Sequence, residues 1–164
     1  MLQKPVIRTV TPADLDTVTA IEAECFPPSE AAPRASFEDR IRTFPSHFFL
    51  IEADGVPAGF INGMVTSQST ISDIMFADAS LHDEAGAWQT VFGLDVLTAF
   101  RHRGYAAKLM EHLIAHARAE GRRGVILTCK EHMIGYYRRF GFVDEGVSAS
   151  THGGALWHDM TLRF

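Results

Sequence analysis

Residues 94–107 read Leu94-Asp95-Val96-Leu97-Thr98-Ala99-Phe100-Arg101-His102-Arg103-Gly104-Tyr105-Ala106-Ala107. An apolar run gives way to a basic turn, one glycine marks the junction, and helix-forming residues follow. Upstream, Gln89–Thr98 reads as a strand. Downstream, Gly104–Glu120 reads as a long helix, with Leu109, Leu113 and Ala117 four apart on one face. A glycine at such a junction lets the backbone turn tightly and lie close to a ligand. The unpaired N–H groups and partial positive charge of a helix N-terminus form a ready pyrophosphate site. Arg101 and Arg103 add charge that phosphates favour. On these residues alone an ordinary solvated turn is an equally good reading. The segment is neither a Walker loop nor the three-glycine dinucleotide fingerprint.

Working outward, Val125–Cys129 is strand-like, Glu131–Phe140 is helical and Gly141 is its stop. Two more strands follow, near Phe142–Ser148 and Ala155–Arg163. Towards the N-terminus, Val6–Thr9 is a short strand. Thr11-Pro12-Ala13-Asp14 has the residues of a capped helix start, and Leu15, Val18, Ile21 and Cys25 continue it with one apolar face. Pro27-Pro28 ends that helix. Ser36 with Asp39 suggests a second helix start, and Pro45 a stop. His47–Glu52 and Ala58–Val65 flank the Asp54-Gly55 turn as a hairpin. Thr66–Gly86 reads as a long polar loop without clear periodicity, a feature often tied to function. The sum is a mixed α/β (α+β) domain around one sheet, a single domain over residues 1–164.

The chain has 164 residues, 46% hydrophobic and 21% charged, which suits a self-supporting globular core and excludes general disorder. No apolar run approaches a membrane span, and the start of the chain lacks a secretory apolar region. Two cysteines, Cys25 and Cys129, fit a reducing cytoplasmic setting. A net charge of −5 argues against nucleic acid as a partner. His112 and His116 are four apart, but no third ligand is apparent, so no metal is expected.

Arg101-x-x-Gly104-x-Ala106 resembles the acyl-CoA signature of the GNAT superfamily of N-acetyltransferases. Tyr136-Tyr137-Arg138-Arg139-Phe140-Gly141-Phe142 is similar to that superfamily's tyrosine-to-Gly-Phe ending, and the element order matches over nearly the whole chain. Leu127-Thr128-Cys129, the Tyr137–Phe142 run and Phe26-Pro27-Pro28 resemble the arylalkylamine (serotonin) N-acetyltransferase branch. The resemblance implies a mostly antiparallel sheet with splayed central strands and helices on both faces. It implies acetyl-CoA as acyl donor and direct transfer to a small-molecule amine. Leu94, Asp95, Val96 and Leu97 would contact pantetheine through their main chain. Arg101, His102, Arg103, Gly104, Tyr105, Ala106 and Ala107 would hold the pyrophosphate. Tyr137 would protonate the departing thiolate, phenol and thiol acidities being close.

Where the serotonin enzymes place two histidines, this chain has Thr90 and Phe92. The base is therefore another group, with His82 and His132 as candidates, or a water chain. Phe26, Pro27, Pro28 and Phe92 are expected to wall the acceptor pocket. Asp73, Asp78, Asp83 and Glu84 are expected either to attract an ammonium or to be plain solvated surface. A protein or peptide amine acetyltransferase and a non-catalytic acyl-CoA-binding module are the alternatives. A monomer or homodimer is expected.

Overall fold

The computed structural model describes residues 4–164. Two sheets replace the one expected. The first runs β1 (Val6–Thr9), β2 (Phe48–Ala53), β3 (Val56–Asn62) and β6 (Gly93–Val96), in that spatial order. The second runs β4 (Val65–Thr66), β5 (Trp88–Val91), β7 (Gly124–Cys129), β9 (His158–Arg163) and β8 (Val143–Val147). Within these sheets β5 and β7 pair in parallel and every other recorded pair is antiparallel.

The first sheet is covered on both faces. Phe48, Leu50 and Phe60 point to α1 (Leu15–Cys25) and α2 (Arg34–Thr43), where they meet Val18, Ile21, Phe37 and Ile41. Their neighbours Phe49, Ile51 and Ile61 point the other way, onto Leu109, Met110 and Leu113 of α4 (Tyr105–Ala119). This is the period-2 alternation of a sheet meeting the 3.6-residue stripe of a helix. Burying such side chains contributes roughly 25 cal/mol per Å² of apolar surface removed from water.

Three expectations are corrected. Thr66–Gly86 is not one open loop: it contains α3 (Asp73–Ala77), and Ile71, Met75 and Ala79 pack with Phe44, Trp88 and Ile126 in a third core cluster. The second helix starts at Arg34 after Pro33, so Ser36 lies inside it and its N–H bonds the Pro33 carbonyl (3.0 Å). The helix placed at Glu131–Phe140 is a 3-10 turn at Glu131–Met133 followed by the short α5 (Ile134–Arg138). The Thr11–Asp14 start holds: the Asp14 carboxylate accepts the Thr11 N–H (2.8 Å).

Candidate active site

The expected Gln89–Thr98 strand breaks at Phe92, and that break builds the site. β5 pairs with β7 from Trp88 opposite Gly124 to Val91 opposite Leu127. Beyond Phe92 the chain changes partner, and Gly93–Val96 pairs with β3 alone. Thr128 and Cys129 pair with β9. A wedge opens between β6 and the end of β7, with a free strand edge on β6. Such an edge carries unpaired main-chain donors and acceptors that an extended ligand can satisfy.

The Leu97 N–H donates to the Ala58 carbonyl (2.9 Å). Antiparallel alternation then turns the main chain of Gly93, Asp95 and Leu97 towards β3, and that of Leu94 and Val96 towards the wedge. Of the four pantetheine contacts expected, Asp95 and Leu97 are thereby corrected: their main-chain groups belong to the sheet. The Val96 carbonyl is itself engaged, by Arg101 Nε (3.1 Å) and Cys25 Sγ (3.4 Å). Arg101 thus lies back along β6 instead of reaching outward as a phosphate ligand.

The turn before α4 keeps its expected character. His102 and Gly104 both have positive φ, 64° and 78°. Left-handed residues in such a turn can aim successive N–H groups into one concavity. A Cβ built on Gly104 would meet nothing within 4 Å. The Tyr105 ring is buried in the core, so only its N–H is on offer. Lys108 N–H bonds the Gly104 carbonyl (3.0 Å), while the first-turn N–H groups of Tyr105, Ala106 and Ala107 lack intrahelical acceptors. Arg103 is exposed beside Phe100. A free strand edge leading to an open, donor-rich helix start fits a pantetheine arm ending in a diphosphate.

Tyr137 stands at the wedge. Its ring packs against the central core and Phe142 (centroids 6.0 Å). Burial pushes its phenol well up, and the nearby Cys129, Tyr136 and Asp95 add to the shift. It therefore stays protonated at neutral pH, as an acid must. Tyr136 turns its ring to Phe140 and the Arg139 guanidinium. Cys129 is buried with Sγ 3.3 Å from Met160 Sδ, and burial pushes its thiol to about 11. A thiol at that value is not a nucleophile at neutral pH.

Four buried polar residues gather near Gly93, three of them absent from the sequence-based site and the fourth, Asp95, expected there only for its main chain. They are Glu22 on α1, Arg40 on α2, Asn62 on β3 and Asp95 on β6. Arg40 donates to Asn62 Oδ1 (3.2 Å) and to the Phe76 carbonyl (3.0 Å), and Glu22 Oε2 accepts the Ala32 N–H (2.9 Å). A Cβ on Gly93 would stand 3.2 Å from Asp95 Oδ1, 3.4 Å from Asn62 Nδ2 and 3.6 Å from Glu22 Oε1. All three of those atoms are buried without a hydrogen-bond partner among the described residues. Burial raises the Asp95 carboxyl well above the usual range, and the neighbouring Glu22 raises it further against the pull of Arg40. Burial lowers Arg40 to about 10, opposed by Glu22 and Asp95, so it is still a cation at neutral pH.

Aromatic rings flank this cluster. Phe92 packs on Phe76 (4.9 Å) and under Arg40 (5.0 Å), and Phe76 stacks on His152 (5.2 Å), which neighbours Trp157 (6.2 Å). Phe92 is half-buried in this ring series, Pro27 and Pro28 are exposed in a turn, and Phe26 is half-buried beside them. Of the two readings of the acidic residues, solvated surface is the one the structure fits, with Asp73, Asp83 and Glu84 exposed. Asp73 accepts from Ser150 Oγ and the Thr151 N–H, Asp78 from Ser80, Asp83 from the Ala85 N–H, and Glu84 pairs with His47. Neither histidine proposed as base has a recorded contact with the Gly93 cluster among the described residues. His132 is exposed. His82 accepts the Val65 N–H (3.0 Å) and contacts Glu84, at the opposite end of the parallel strands.

Residues 15–142 match the acetyltransferase (GNAT) family model. The chain belongs to that family. It is an N-acetyltransferase that takes its acyl group from acetyl-CoA. A glucosamine 6-phosphate N-acetyltransferase from Oryza sativa subsp. japonica is 26% identical over 121 residues, covering 74% of this chain and 68% of the relative. The GphF GNAT-like decarboxylase, solved with isobutyryl-CoA, superposes with a TM-score of 0.83 at 22% identity, over 96% of this chain and 98% of its own. The loading GNATL domain of CurA from Lyngbya majuscula gives 0.85 at 13% identity, over 98% of both chains. Among the described residues no helix of this GNAT chain is long and apolar enough to cross a membrane.

Proposed function

We propose that this acetyltransferase acylates a small arylalkylamine, with Tyr137 as general acid and the Glu22–Asp95 pair as general base. Bound acetyl-CoA supplies the activated thioester. In this reading the free edge at Leu94 and Val96 receives the pantetheine arm, and the amides from His102 to Ala107, with Gly104 open above them, receive the diphosphate. The amine nitrogen forms the new C–N bond as the C–S bond breaks. Its proton passes to the carboxyl pair, and the Tyr137 phenol protonates the sulfur. Return of the proton from the pair to Tyr137 closes the cycle.

The observation that carries the base assignment is the meeting of three unpartnered polar atoms around Gly93, two of them carboxyl oxygens. Burial, and Glu22 close by, make the Asp95 carboxylate a better proton acceptor than an ordinary surface one. The ring series Phe92, Phe76, His152 and Trp157 favours an aromatic amine. A polyamine would need several free carboxylates, and Asp73, Asp78, Asp83 and Glu84 are engaged elsewhere.

CoA release from acetyl-CoA tests this against phenethylamine, tryptamine, spermidine, glucosamine 6-phosphate and short peptides. Turnover with the first two, weakened in Phe92→Ala, is the expected result. Preference for spermidine, the sugar phosphate or peptides would overturn the arylalkylamine assignment.

A further inference from the structure

Where β5 and β7 begin, at the end remote from the wedge, three segments bring histidines and glutamates together. They are the 3-10 turn before β2 (His47), the 79–84 stretch (His82, Glu84) and the end of α4 (His116, Glu120). His47 is fully buried. Its Nε2 lies 2.8 Å from Glu84, so a neutral His47 donates its single N–H there and turns the Nδ1 lone pair away. That Nδ1 has no hydrogen-bond partner among the described residues, and neither has His116 Nε2. Both face Glu120 Oε1, at 3.8 Å from His47 Nδ1 and 3.2 Å from His116 Nε2.

We propose that His47 Nδ1, His116 Nε2 and the Glu120 carboxylate form a binding site for a divalent transition-metal ion of the zinc type. Ligand atoms on a tetrahedral zinc at 2.0–2.2 Å stand ~3.4 Å from one another, and the two measured separations straddle that spacing. Two imidazoles with one carboxylate form a common zinc ligand set, leaving a fourth position for water. Glu84 then acts on His47 as the outer carboxylate that fixes the ring and its tautomer. His82 is not a ligand. Its Nδ1 already accepts the Val65 N–H (3.0 Å), so its Nε2 carries the proton and points it at Glu84 (3.2 Å).

Arg122 is the cation already present. Its NH1 is anchored on the Glu84 and Gly86 carbonyls (both 2.7 Å), and its NH2 lies 3.4 Å from Glu84 and 3.3 Å from Glu120. Glu84 and Glu120 thus share a single guanidinium beside the buried His47 ring. A metal ion would add a second cation at this corner and give both unpartnered nitrogens a bond. A surface hollow of about 620 Å³, lined by Glu84, Gly86, Glu120 and Arg122 among others, opens on the Glu120 side of the cluster.

The test uses the full chain after chelator treatment and desalting, titrated with Zn²⁺ against a chromophoric chelator and with Co²⁺ for its visible spectrum. One equivalent of competing metal and a tetrahedral Co²⁺ spectrum are expected. Both should be lost in His116→Ala and in Glu120→Gln and kept in His112→Ala, one turn away on α4. Circular dichroism confirms folding, and the half-exposed Glu120→Gln serves if His116→Ala does not fold. A wild-type chain that fails to compete overturns the proposal in favour of a hydrogen-bonded ion-pair cluster. So does binding that survives Glu120→Gln. Acetyl transfer is not the readout, so this result stands apart from the assignment of the acceptor.

Discussion

Gly93→Ala separates the proposed base cluster from everything around it. Gly93 does not adopt positive φ, so alanine is free of backbone strain and gains about 0.5–1 kcal/mol in strand propensity. Its methyl would stand 3.2, 3.4 and 3.6 Å from Asp95 Oδ1, Asn62 Nδ2 and Glu22 Oε1, all side-chain termini able to give by tenths of an ångström. Stability should therefore change by less than ~1 kcal/mol, the usual range for a tolerated substitution. By contrast a Cβ on Gly63 would sit 1.9 Å from the Thr90 carbonyl oxygen, which cannot move without breaking the sheet. In Gly93→Ala the methyl fills the point where the three polar atoms converge and blocks an approaching amine. A hydrogen bond to a charged group contributes about 1.5–3 kcal/mol, so kcat/KM for the amine should fall roughly 10- to 150-fold at 1.4 kcal/mol per decade. Acetyl-CoA affinity, measured on the same protein by calorimetry, should be unchanged because the free edge of β6 lies elsewhere. An unaltered kcat/KM in a folded Gly93→Ala protein would refute the role given to Glu22, Asn62 and Asp95.

Three further outcomes follow from the same geometry. Asp95→Asn should lower kcat by about 10²–10⁴-fold, and wild-type kcat/KM should rise with pH through a value above the usual carboxylate range, a limb the variant alters. The linkage has a definite sign: a carboxyl raised by folding contributes stability below its unfolded pKa and loses it as pH rises through the folded one. Asp95→Asn should therefore equal or exceed wild type in thermal stability at pH 7 and above, and a large loss there would contradict the buried-carboxyl picture. Tyr137→Phe should keep acetyl-CoA binding and lose about 10²–10⁴-fold in kcat, and no descending limb from Tyr137 should appear at neutral pH. Asp14 is held at about 2 by the bidentate Arg8 guanidinium (2.7 Å), with Thr11 assisting. Its contribution of about 2 kcal/mol, trimmed by solvent around Arg8, is complete above its unfolded value of 3.8 and is lost as pH falls towards 2. Asp14→Asn should be destabilised by up to that amount at pH 7 and match wild type at pH 2 in denaturant melts.

Local signals were the legible ones. The strand–turn–helix at 89–120 carries its own punctuation in Gly104 and in the four-residue spacing of Leu109, Leu113 and Ala117, so both its place and its donor-rich turn could be read. The break at Phe92 could not, because it arises when one strand takes β3 on one side and loses β7 on the other. α3 had a readable trace, since Ile71, Met75 and Ala79 are also four apart, but its five residues are overshadowed by polar neighbours. Glu22, Arg40, Asn62 and Asp95 come from four elements, and no sequence window contains them together. Each nonetheless marks itself as a charged or amide residue on an apolar face. Glu22 is four after Val18, Arg40 is three after Phe37, Asn62 is two after Phe60, and Asp95 is two before Leu97. Polar atoms at such positions cost free energy unless paired or put to use. The corner at His116 carries only half a signal in the sequence: Glu120 stands one turn away, but His47 lies in another segment.

The two ends of the parallel pair explain each other. β5 and β7 are in register for four residue pairs, too short a ladder to hold its own direction while one end is forced apart. At the wedge the strands diverge, and the main chain of β6 is left with an open edge. At the opposite end the chain is braced. The Arg123 N–H donates to the Ala87 carbonyl (2.7 Å), and Arg122 crosses to the Glu84 and Gly86 carbonyls. His47, His116 and Glu120 then join β2 and α4 to the same corner. Thr90 Oγ1 and Gln89 Nε2 tie β5 sideways to the Met64 and Gly63 carbonyls (both 2.9 Å), next to the break itself. A sheet that keeps a wedge open between two of its strands exposes donors and acceptors that would otherwise close on each other. The bonds at the far end and beside Phe92 hold the strands in the diverging course.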